Sequence, residues 1–250
     1  MPAPRTAASL SVIVCAYNEE RYLTPCLESL QRQSRPADEV IVVDNASVDD
    51  TASVARGFPG VRVVHEPVRG LVRARATGAR AASGDLLAFL DADCRASSTW
   101  LERMEQLLAS RSHVVAATGP YRYYDWHLFG RGLIRTYDLT VAPVTHSFVQ
   151  HVFRRGAILY GGNFVVRRSA LEAIGGFDTS IEFHGEDTNL GRRLAAVGSV
   201  AIHRPAYVWT SARRFRALGT GTVLRLYARN FWSEVLWHRP TDRRHEDVRL

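Results

Sequence analysis

The sequence contains no lysine, so all 32 of its positively charged side chains other than histidine are arginines. Codon bias explains this replacement as readily as chemistry does, and the abundance of arginine therefore carries no functional signal. The location of the charge is more informative. Ten arginines and four acidic residues between His203 and Leu250 supply about +6 of the net charge of +7. Nucleotide phosphates, an anionic acceptor or a membrane surface are the partners that such a tail favours.

Cysteine is scarce, and the chain also lacks long apolar runs. Its three cysteines show no CxxC or Cys/His spacing, which argues against a disulfide scaffold or a zinc site and favours a reducing cytosol. Residues 1–9 lack the apolar segment of a signal peptide, and no later stretch reaches the roughly 18 apolar residues that a spanning helix needs. We therefore expect a cytoplasmic protein, or one bound peripherally to the inner face of a membrane.

Glycine-rich nucleotide motifs are absent as well. The first strand-like run is followed by AYNEE (residues 16–20), and the single GxG, Gly219 to Gly221, has Leu224 where a third glycine would be needed. No P-loop and no GxSxG elbow occurs. These absences argue against a dinucleotide-binding protein of the usual kind, a P-loop NTPase and a serine hydrolase with a GxSxG elbow. With 46% hydrophobic residues, the chain can bury a sizeable core, so it is neither a disordered nor a fibrous protein.

The first half of the chain alternates between two periodicities. Short apolar, β-branched runs predict strands, and the segments between them have helical patterns. The strands fall at 10–17, 39–44, 61–66 and 85–91, and the helices at 20–33, 49–58 and 72–83. This alternation predicts an α/β fold, with a doubly wound, mostly parallel and partly mixed sheet flanked by helices.

The second half is less regular. A helix is predicted at 100–110, a strand at 114–121, a helix at 184–198 and a last strand at 199–210, whereas 122–160 has no readable period. From Phe215 onward, Leu224, Tyr227, Phe231 and Val235 recur at helical spacing and predict a C-terminal amphipathic helix. Protein core, a dimer contact and a membrane interface all suit its aromatic and arginine content.

Polar residues collect where the predicted strands end. Ligands of open α/β sheets bind beyond the carboxyl ends of the strands, and Tyr17, Asn18, Glu19, Asp44, Asn45, Asp91 and Asp93 all fall there. Asp91 and Asp93 are able to converge on one hard cation, Mg²⁺ or Mn²⁺, which completes its shell with water and phosphate oxygens. An isolated DxD is more often a helix cap and a solvated acid, but its place after an apolar strand favours the metal.

A second acidic pair, Glu186 and Asp187, opens a predicted helix. Acidic residues in a first helical turn are ordinary because they suit the helix dipole. The functional alternative makes Asp187 a general base for an acceptor hydroxyl. The glycines at 161, 162, 175 and 176 bracket this segment, and they serve either close approach to a ligand or tight turns.

Five blocks together resemble the family 2 glycosyltransferases of GT-A fold over residues 10 to about 200. The blocks are SVIVCAYNEE, VIVVDNASVDDT, RGLVRARATGARAASGDLLAFLDADC, GGNFVVRRSALEAIGGFD and HGEDTNLGRRL. The resemblance implies a nucleotide-diphosphate-sugar donor, a divalent metal and inversion at the anomeric carbon. Three residues depart from the family's common pattern: Cys15, Asn45 and Ala76 stand where Pro, Asp and Asn are frequent.

The resemblance also implies roles for individual residues. Nucleotide-binding roles fall on Tyr17, Glu19, Asp44, Arg75, Asp91, Arg213 and Arg214; metal ligation on Asp91, Asp93 and, as a further candidate, His203; sugar contact on Gly162, Asn163 and Glu186; and the base on Asp187. A solvated helix start is the alternative for the two late arginines, and a structural role is the alternative for His203.

The leading hypothesis is a metal-dependent glycosyltransferase with a catalytic domain at 1–210 and a basic helical extension at 211–250. Within the domain, a nucleotide half would span about 8–120 and an acceptor half about 121–210. The donor would be UDP-, GDP- or dTDP-linked, and the acceptor a carbohydrate or a lipid-linked sugar, with no nucleic acid partner. Membrane contact through the C-terminal helix and a homodimer are further expectations. The alternatives are a nucleotidyltransferase, which AYNEE disfavours for want of a glycine-rich loop, and a non-catalytic nucleotide-sugar-binding module.

Overall fold

The computed structural model describes residues 8–153, 156–181 and 185–237. Seven strands form the main sheet, in the spatial order β3-β2-β1-β4-β8-β6-β9. They are β1 (Leu10–Ala16), β2 (Glu39–Asp44), β3 (Val61–His65), β4 (Leu86–Asp91), β6 (Val114–Thr118), β8 (Asn163–Arg167) and β9 (Ser199–Ile202). Strand β8 is antiparallel to both of its neighbours, and the other pairs are parallel. The prediction of a mostly parallel, mixed α/β sheet is confirmed.

Helices cover both faces of this sheet. They are α1 (Glu20–Gln31), α2 (Thr51–Arg56), α3 (Leu71–Ala81), α4 (Trp100–Ser110), α7 (Arg168–Ala173) and α8 (Glu186–Ala195). Alternate residues of β1 enter two different cores: Val12 and Val14 pack with Leu23 and Trp100, whereas Ile13 packs with Ala74. Because side chains of a strand alternate between its faces, a strand buried on both sides reads as an unbroken apolar run.

Helix α3 lies close to the sheet at Gly78. A Cβ on this residue would collide with the Ile13 side chain and come within 3.0 Å of Val43 Cγ2. Ile13 is fully buried, so it has no free space into which to move. The small side chains of α3 therefore set the distance between this helix and strands β1 and β2.

Two predicted strands are each interrupted in the structure. The run 114–121 gives β6 and a separate β7 (Tyr121–Tyr123), and the run 199–210 gives β9 and β10 (Val208–Thr210). Strands β7 and β10 pair in a second, three-stranded sheet with β5 (Arg95–Ala96). Pro120 and Pro205 stand at the two breaks, and proline lacks the N–H that would continue the ladder.

The segment without a readable period is helical. It forms α5 (Leu128–Leu139), α6 (Val141–Ser147) and a π-helical turn at Phe148–Val152. Its periodicity is hidden because large apolar side chains lie on the solvent side: Phe129 is 78% exposed and Val144 is 71% exposed. A pattern that assumes apolar residues face inward does not find such helices.

At the C-terminal end, α9 (Arg213–Leu218) precedes α10 (Thr220–Trp237), and α10 contacts both α8 and α9. The helix was predicted, and Val235 of its expected apolar stripe is buried, but the buried face as a whole differs from that stripe. Leu224 and Tyr227 of the expected apolar stripe are 37% and 44% exposed, whereas Asn230 and Glu234 are buried. An ion pair of 3.1 Å between Glu234 Oε1 and Arg192 Nε fixes the helix to α8 in this orientation.

The main sheet draws strands from both of the predicted halves, since β8 and β9 of the acceptor half join the sheet formed by β1 to β4 and β6. A third apolar cluster joins Trp126 to Ala212, Phe215 and Val223 across the predicted boundary at residue 210. The domain boundaries stay a prediction. No helix within residues 8–153, 156–181 and 185–237 is long and apolar enough to cross a bilayer.

Gly78→Ala should lower the free energy of unfolding by about 1–3 kcal/mol, since its methyl group overpacks the contact with Ile13. Gly132→Ala is the matched control on a helix, because a Cβ there meets nothing within 4 Å. That control should be neutral or stabilising by about 0.5–1 kcal/mol. Urea unfolding of both variants checks this, and equal stability of the two would contradict it.

Candidate functional site

The site lies where the strand order reverses direction, between β1 and β4. Crossovers run from β1 through β2 and β3 to one side and return at β4, so the carboxyl ends of β1 and β4 lie at the crevice in which sheets of this topology bind ligands. Cys15 pairs in register with Asp91 across these two strands. The topology thus places the first acidic residue of the DxD at the position where such folds bind their ligands.

Asp91 lies against a glycine. A Cβ on Gly162 would collide with Asp91 Oδ2, and it would lie 2.8 Å from the Tyr121 hydroxyl. The backbone N–H of Gly162 donates to this hydroxyl at 2.6 Å. Asp91 Oδ1 pairs with Arg75 Nη2 at 3.3 Å, and the Asp91 side chain remains 37% exposed. The absence of a side chain at Gly162 therefore leaves room for the Asp91 carboxylate at the edge of the crevice.

Asp93 is more deeply buried, and its pairing is incomplete. Its Oδ2 lies 3.2 Å from Arg213 Nη2, while Oδ1 has only long contacts, 3.5 Å to Thr210 Oγ1 and 3.7 Å to Cys94 Sγ. Desolvation by burial raises the pKa of Asp93 to about 6, although Arg213 opposes the shift. A buried carboxylate without a full set of partners gains from a cation that binds beside it.

These two carboxylates fit a hard divalent cation. Among the described residues, no group of three or more His, Cys, Asp or Glu side chains is arranged to hold a metal ion. Mg²⁺ and Mn²⁺ accept one or two carboxylates when water and phosphate oxygens supply the remaining ligands. The poorly satisfied Oδ1 of Asp93 and the exposed edge of Asp91 provide the oxygen donors for such a site.

His203 does not join this pair. Burial, Arg103 and Arg111 lower its pKa, so the charged groups that act on its ring are cationic. Its backbone N–H donates to Thr118 O at 2.7 Å, which fixes it at the end of β9 in the main sheet. The residue of this segment that reaches Asp93 is Thr210, in β10. The sequence did not reveal the contact between Thr210 and Asp93, because residues 199–210 were predicted to form one strand.

Arg75 lies buried between two carboxylates. Its side chain is 4% exposed, and its guanidinium pairs with Asp91 Oδ1 at 3.3 Å and with Glu186 Oε1 at 2.6 Å. Arg75 therefore has an internal role in this structure, and its contact with a nucleotide stays a prediction. Arg75 links the acidic residue that ends β4 to the acidic pair that begins α8, so it holds two separate parts of the site together.

Glu186 and Asp187 enter α8 behind Gly185, which has a left-handed φ of 84° that suits glycine. Burial raises the pKa of Glu186 to about 8, with Arg75 opposing the shift. Among the described residues, Glu186 Oε2 is a buried oxygen without a hydrogen-bond partner. Burial also raises the pKa of Asp187, whose Oδ1 accepts from the Thr188 N–H at 2.7 Å. A raised pKa suits a carboxylate that takes up a proton near neutral pH.

Gly161 and Gly162 connect the two acidic pairs. A Cβ on Gly161 would lie 3.2 Å from Glu186 Oε1 and 3.4 Å from Asp187 Cβ. Gly162, the next residue, makes the corresponding close approach to Asp91. The metal-binding candidate and the candidate base therefore stand on either side of a single glycine dipeptide, and no side chain of that dipeptide fills the space between them.

The predicted nucleoside residues lie at the neighbouring ends of β1 and β2. Asp44 is 9% exposed in its side chain and contacts His65 Nδ1 at 3.2 Å. The Tyr17 ring is covered by the Arg69 guanidinium, 4.2 Å from its centroid. Glu19 is buried and pairs with Arg213 through two hydrogen bonds, of 2.5 and 2.9 Å. Glu19 therefore contributes to the site through an arginine that also contacts Asp93.

Two residues near these strand ends have left-handed backbone conformations that glycine normally adopts. They are Asn18, with φ of 52°, and Ala46, with φ of 58°. Asn18 is fixed by two hydrogen bonds, from Val48 N to its side chain at 2.9 Å and from its own N–H to Ser47 Oγ at 3.1 Å. Alanine has no such compensation, and strained backbone of this kind is concentrated at functional sites.

Asn163 was predicted to contact a sugar, but it is fully buried. Its Oδ1 accepts from Trp100 Nε1 at 2.7 Å, and its Nδ2 donates to Ala206 O at 3.0 Å. The side chain is committed to the protein because β8 lies between β4 and β6 in the sheet. Asn163 thus fastens the strand that follows the glycine dipeptide, and it has no polar group available for a ligand.

Several tyrosines near the site carry no sequence signal. Tyr160 stacks edge-on with Tyr121 at 5.6 Å and donates to Asp138 Oδ1 of α5 at 2.5 Å. Tyr227 reaches the site from α10, where a hydrogen bond with Arg214 and the charges of Asp187 and Asp91 act on its hydroxyl. Only the packing of distant segments brings these phenols together, so spacing alone does not identify them.

The chain belongs to a known family. Residues 11–175, well over half of the chain, match the family described as glycosyl transferase family 2. A curated relative, glycosyltransferase AglE of Haloferax volcanii, is 28% identical over 201 residues, which cover 77% of this chain and 63% of the relative. The resemblance inferred from the five sequence blocks is confirmed.

Solved structures confirm the GT-A type of fold. Mannosyltransferase PcManGT from Pyrobaculum calidifontis, in complex with GDP-Man and Mn²⁺, matches with a TM-score of 0.71 at 23% identity, covering 94% of this chain and 65% of that one. Glucosyl-3-phosphoglycerate synthase from Mycobacterium tuberculosis, in complex with Mn²⁺, UDP and phosphoglyceric acid, matches with a TM-score of 0.64 at 21% identity, covering 92% and 78%. The chain thus spans somewhat less than two thirds of AglE and of PcManGT.

The buried Asp138 should make stability depend on pH. Burial raises its pKa from 3.8 to about 6, with the Tyr160 hydrogen bond opposing the shift. The unfolded chain therefore ionises first as pH rises, and the folded state loses up to about 3 kcal/mol of stability between pH 4 and 7. Asp138→Asn removes this ionisation, so its melting temperature relative to wild type should rise over that range. A difference that is constant with pH would contradict the assignment.

Proposed function

We propose that this chain transfers a sugar from a nucleotide-diphosphate-sugar donor to a hydroxyl acceptor, with Mg²⁺ or Mn²⁺ as cofactor and inversion at the anomeric carbon. The observation that carries the proposal is the placement of Asp91 and Asp187 on either side of Gly161 and Gly162. A donor diphosphate beside the first carboxylate and an acceptor hydroxyl beside the second would meet above this dipeptide. Membership of glycosyl transferase family 2 supports the same reaction class.

The donor's charge would be met by the acidic and basic groups at the end of β4. Asp91 and Asp93 would hold the divalent cation, which would neutralise charge on the departing diphosphate. Arg213 already lies 3.2 Å from Asp93, and Arg214 follows it at the start of α9. Guanidinium groups pair with phosphate oxygens through parallel hydrogen bonds, so these arginines suit the same diphosphate. PcManGT and the mycobacterial synthase, which share the fold, have Mn²⁺ in their complexes.

The chemistry at the acceptor would be carried by Asp187. Its carboxylate takes the hydroxyl proton as the acceptor oxygen bonds to the anomeric carbon. The bond from that carbon to the diphosphate breaks, and the diphosphate leaves with the electron pair. Glu186 lies beside it with one buried oxygen that has no hydrogen-bond partner among the described residues, which suits a sugar hydroxyl. A single displacement from the opposite face inverts the anomeric configuration.

Tyr17 and Asp44 are the proposed nucleoside contacts, because they stand at the ends of β1 and β2 beside the crevice. A donor linked to UDP, GDP or dTDP and a carbohydrate or lipid-linked acceptor remain the proposed substrates. Peripheral membrane contact through α10 and a homodimer stay predictions.

The donor and the cation are testable together by thermal unfolding. UDP-, GDP- and dTDP-sugars are added with and without Mn²⁺, and a donor at 100 times its Kd stabilises the folded state by about 2.7 kcal/mol. Asp93→Asn should abolish the manganese-dependent part of the shift. Glu172→Gln, an exposed acid on α7, is the matched control and should keep it. A full manganese-dependent shift in Asp93→Asn would place the cation elsewhere.

Replacing Asp187 should separate donor binding from turnover. Asp187→Asn should leave the donor-induced shift in melting temperature unchanged, because its carboxylate faces the acceptor. Transfer to an acceptor sugar should fall at least about 100-fold, since general base catalysis contributes that much or more. Product formation is measured by release of nucleoside diphosphate, with Glu172→Gln again as control. An active Asp187→Asn enzyme would refute the assignment.

A further inference from the structure

Helices α5 and α6 and the π-helical turn carry most of the exposed apolar surface of the described residues. Of eighteen exposed large apolar side chains, ten fall within residues 128–153. They are Leu128, Phe129, Leu133, Tyr137, Leu139, Val141, Val144, Phe148, Val152 and Phe153. Single exposed apolar residues are normal on a protein surface, but a contiguous group of this size marks an interaction site. We call this surface the α5–α6 face.

The outward side chains follow a helical stripe. Tyr137, Val141, Val144, Phe148 and Val152 recur at intervals of three or four residues, so they line one side of the helical run. Val144 is 71% exposed and Val152 is 65% exposed. Apolar residues at this spacing normally mark the side of a helix that faces the core. Here the same stripe faces outward.

The inward side of the same run is partly polar. Asp138 accepts from the Tyr160 hydroxyl at 2.5 Å, and His146 Nδ1 accepts from the Ile158 N–H at 3.1 Å. The other ring nitrogen of His146 lies 2.9 Å from Val200 O. Specific hydrogen bonds thus fix the run to the protein with its apolar stripe outward. A surface helix that contacts only water has the opposite orientation, with its apolar side facing the core.

The charge of the α5–α6 face selects among possible partners. Asp138 is the only acidic residue between 127 and 153, and it is buried. Arg131 and the exposed Arg135 lie on α5, and His127 and His151 are exposed at the two ends of the run. A second copy docked about a two-fold axis would bring these like charges together. An anionic lipid surface attracts them instead.

We propose that the α5–α6 face binds the surface of an anionic lipid bilayer. The apolar stripe enters the boundary between headgroups and acyl chains, and Arg131 and Arg135 contact the headgroups. Such in-plane contact matches the composition of interfacial helices, which combine aromatic and aliphatic side chains with arginine. This attachment is an alternative to the membrane contact predicted for α10, and it does not depend on the proposed sugar transfer.

Binding is measured by sedimentation of the full chain with vesicles. One set contains phosphatidylcholine alone, and the other contains equal parts of phosphatidylcholine and phosphatidylglycerol. Wild type should bind the anionic set at least about tenfold more tightly, since each arginine near such a surface contributes roughly 1 kcal/mol. Arg131→Gln/Arg135→Gln should remove most of that preference. No donor is present, so a negative result leaves the proposed function unaffected.

The apolar contribution is tested with a triple variant, Phe129→Ser/Val144→Ser/Val152→Ser. All three side chains are at least 65% exposed, so the fold should tolerate the changes, and thermal unfolding verifies it. Vesicle binding should fall by at least about tenfold because three apolar groups that enter the bilayer are lost. The matched control, Leu236→Ser/Trp237→Ser, removes exposed apolar groups from α10 and should bind like wild type.

Three results would overturn the proposal. They are a wild type that does not sediment with anionic vesicles, a triple variant that binds as well as wild type, and a loss confined to the α10 control. Light scattering without lipid identifies the competing explanation: a wild-type dimer that becomes monomeric only in the triple variant assigns the α5–α6 face to self-association, which also overturns it.

Discussion

The site depends on two arginines that hold buried carboxylates together. Arg75 joins Asp91 to Glu186, and Arg213 joins Glu19 to Asp93. Acids gathered this closely repel one another and are costly to desolvate, so they remain buried only when cations lie among them. Each arginine also links segments far apart in the chain. The same ion pairs therefore neutralise the site and determine which strand ends and helices face one another.

The small residues around these charges have an equally definite role. Gly161 and Gly162 let the backbone pass between the acids at the end of β4 and those at the start of α8, where a side chain would collide with Asp91 or crowd Glu186. Gly78 likewise allows α3 to pack closely against the sheet. Close packing behind the site fixes the strand ends, and the glycines at the site let the backbone approach the acidic side chains closely.

The α5–α6 face shows that the orientation of a helix is set by its buried polar contacts. The hydrogen bonds of Asp138 and His146 are made inward, and the apolar stripe is left outward. Likewise, Glu234 anchors α10 through Arg192 while Tyr227 stays partly exposed above the site. In both cases a buried polar contact, whose loss would be costly, outweighs the preference of apolar groups for the interior.

Local periodicity and adjacent residues were enough to predict the alternation of strands and helices, the family and the acidic residues at strand ends. The partners of those acidic residues follow from the tertiary structure alone. Asn163 and Arg75 carry suitable groups for ligand binding, yet both are occupied by distant segments. Thr210, rather than His203, contacts Asp93, because the chain breaks at Pro205 after β9 and enters the second sheet as β10. Partner choice depends on contacts between residues far apart in sequence, and no local pattern encodes it.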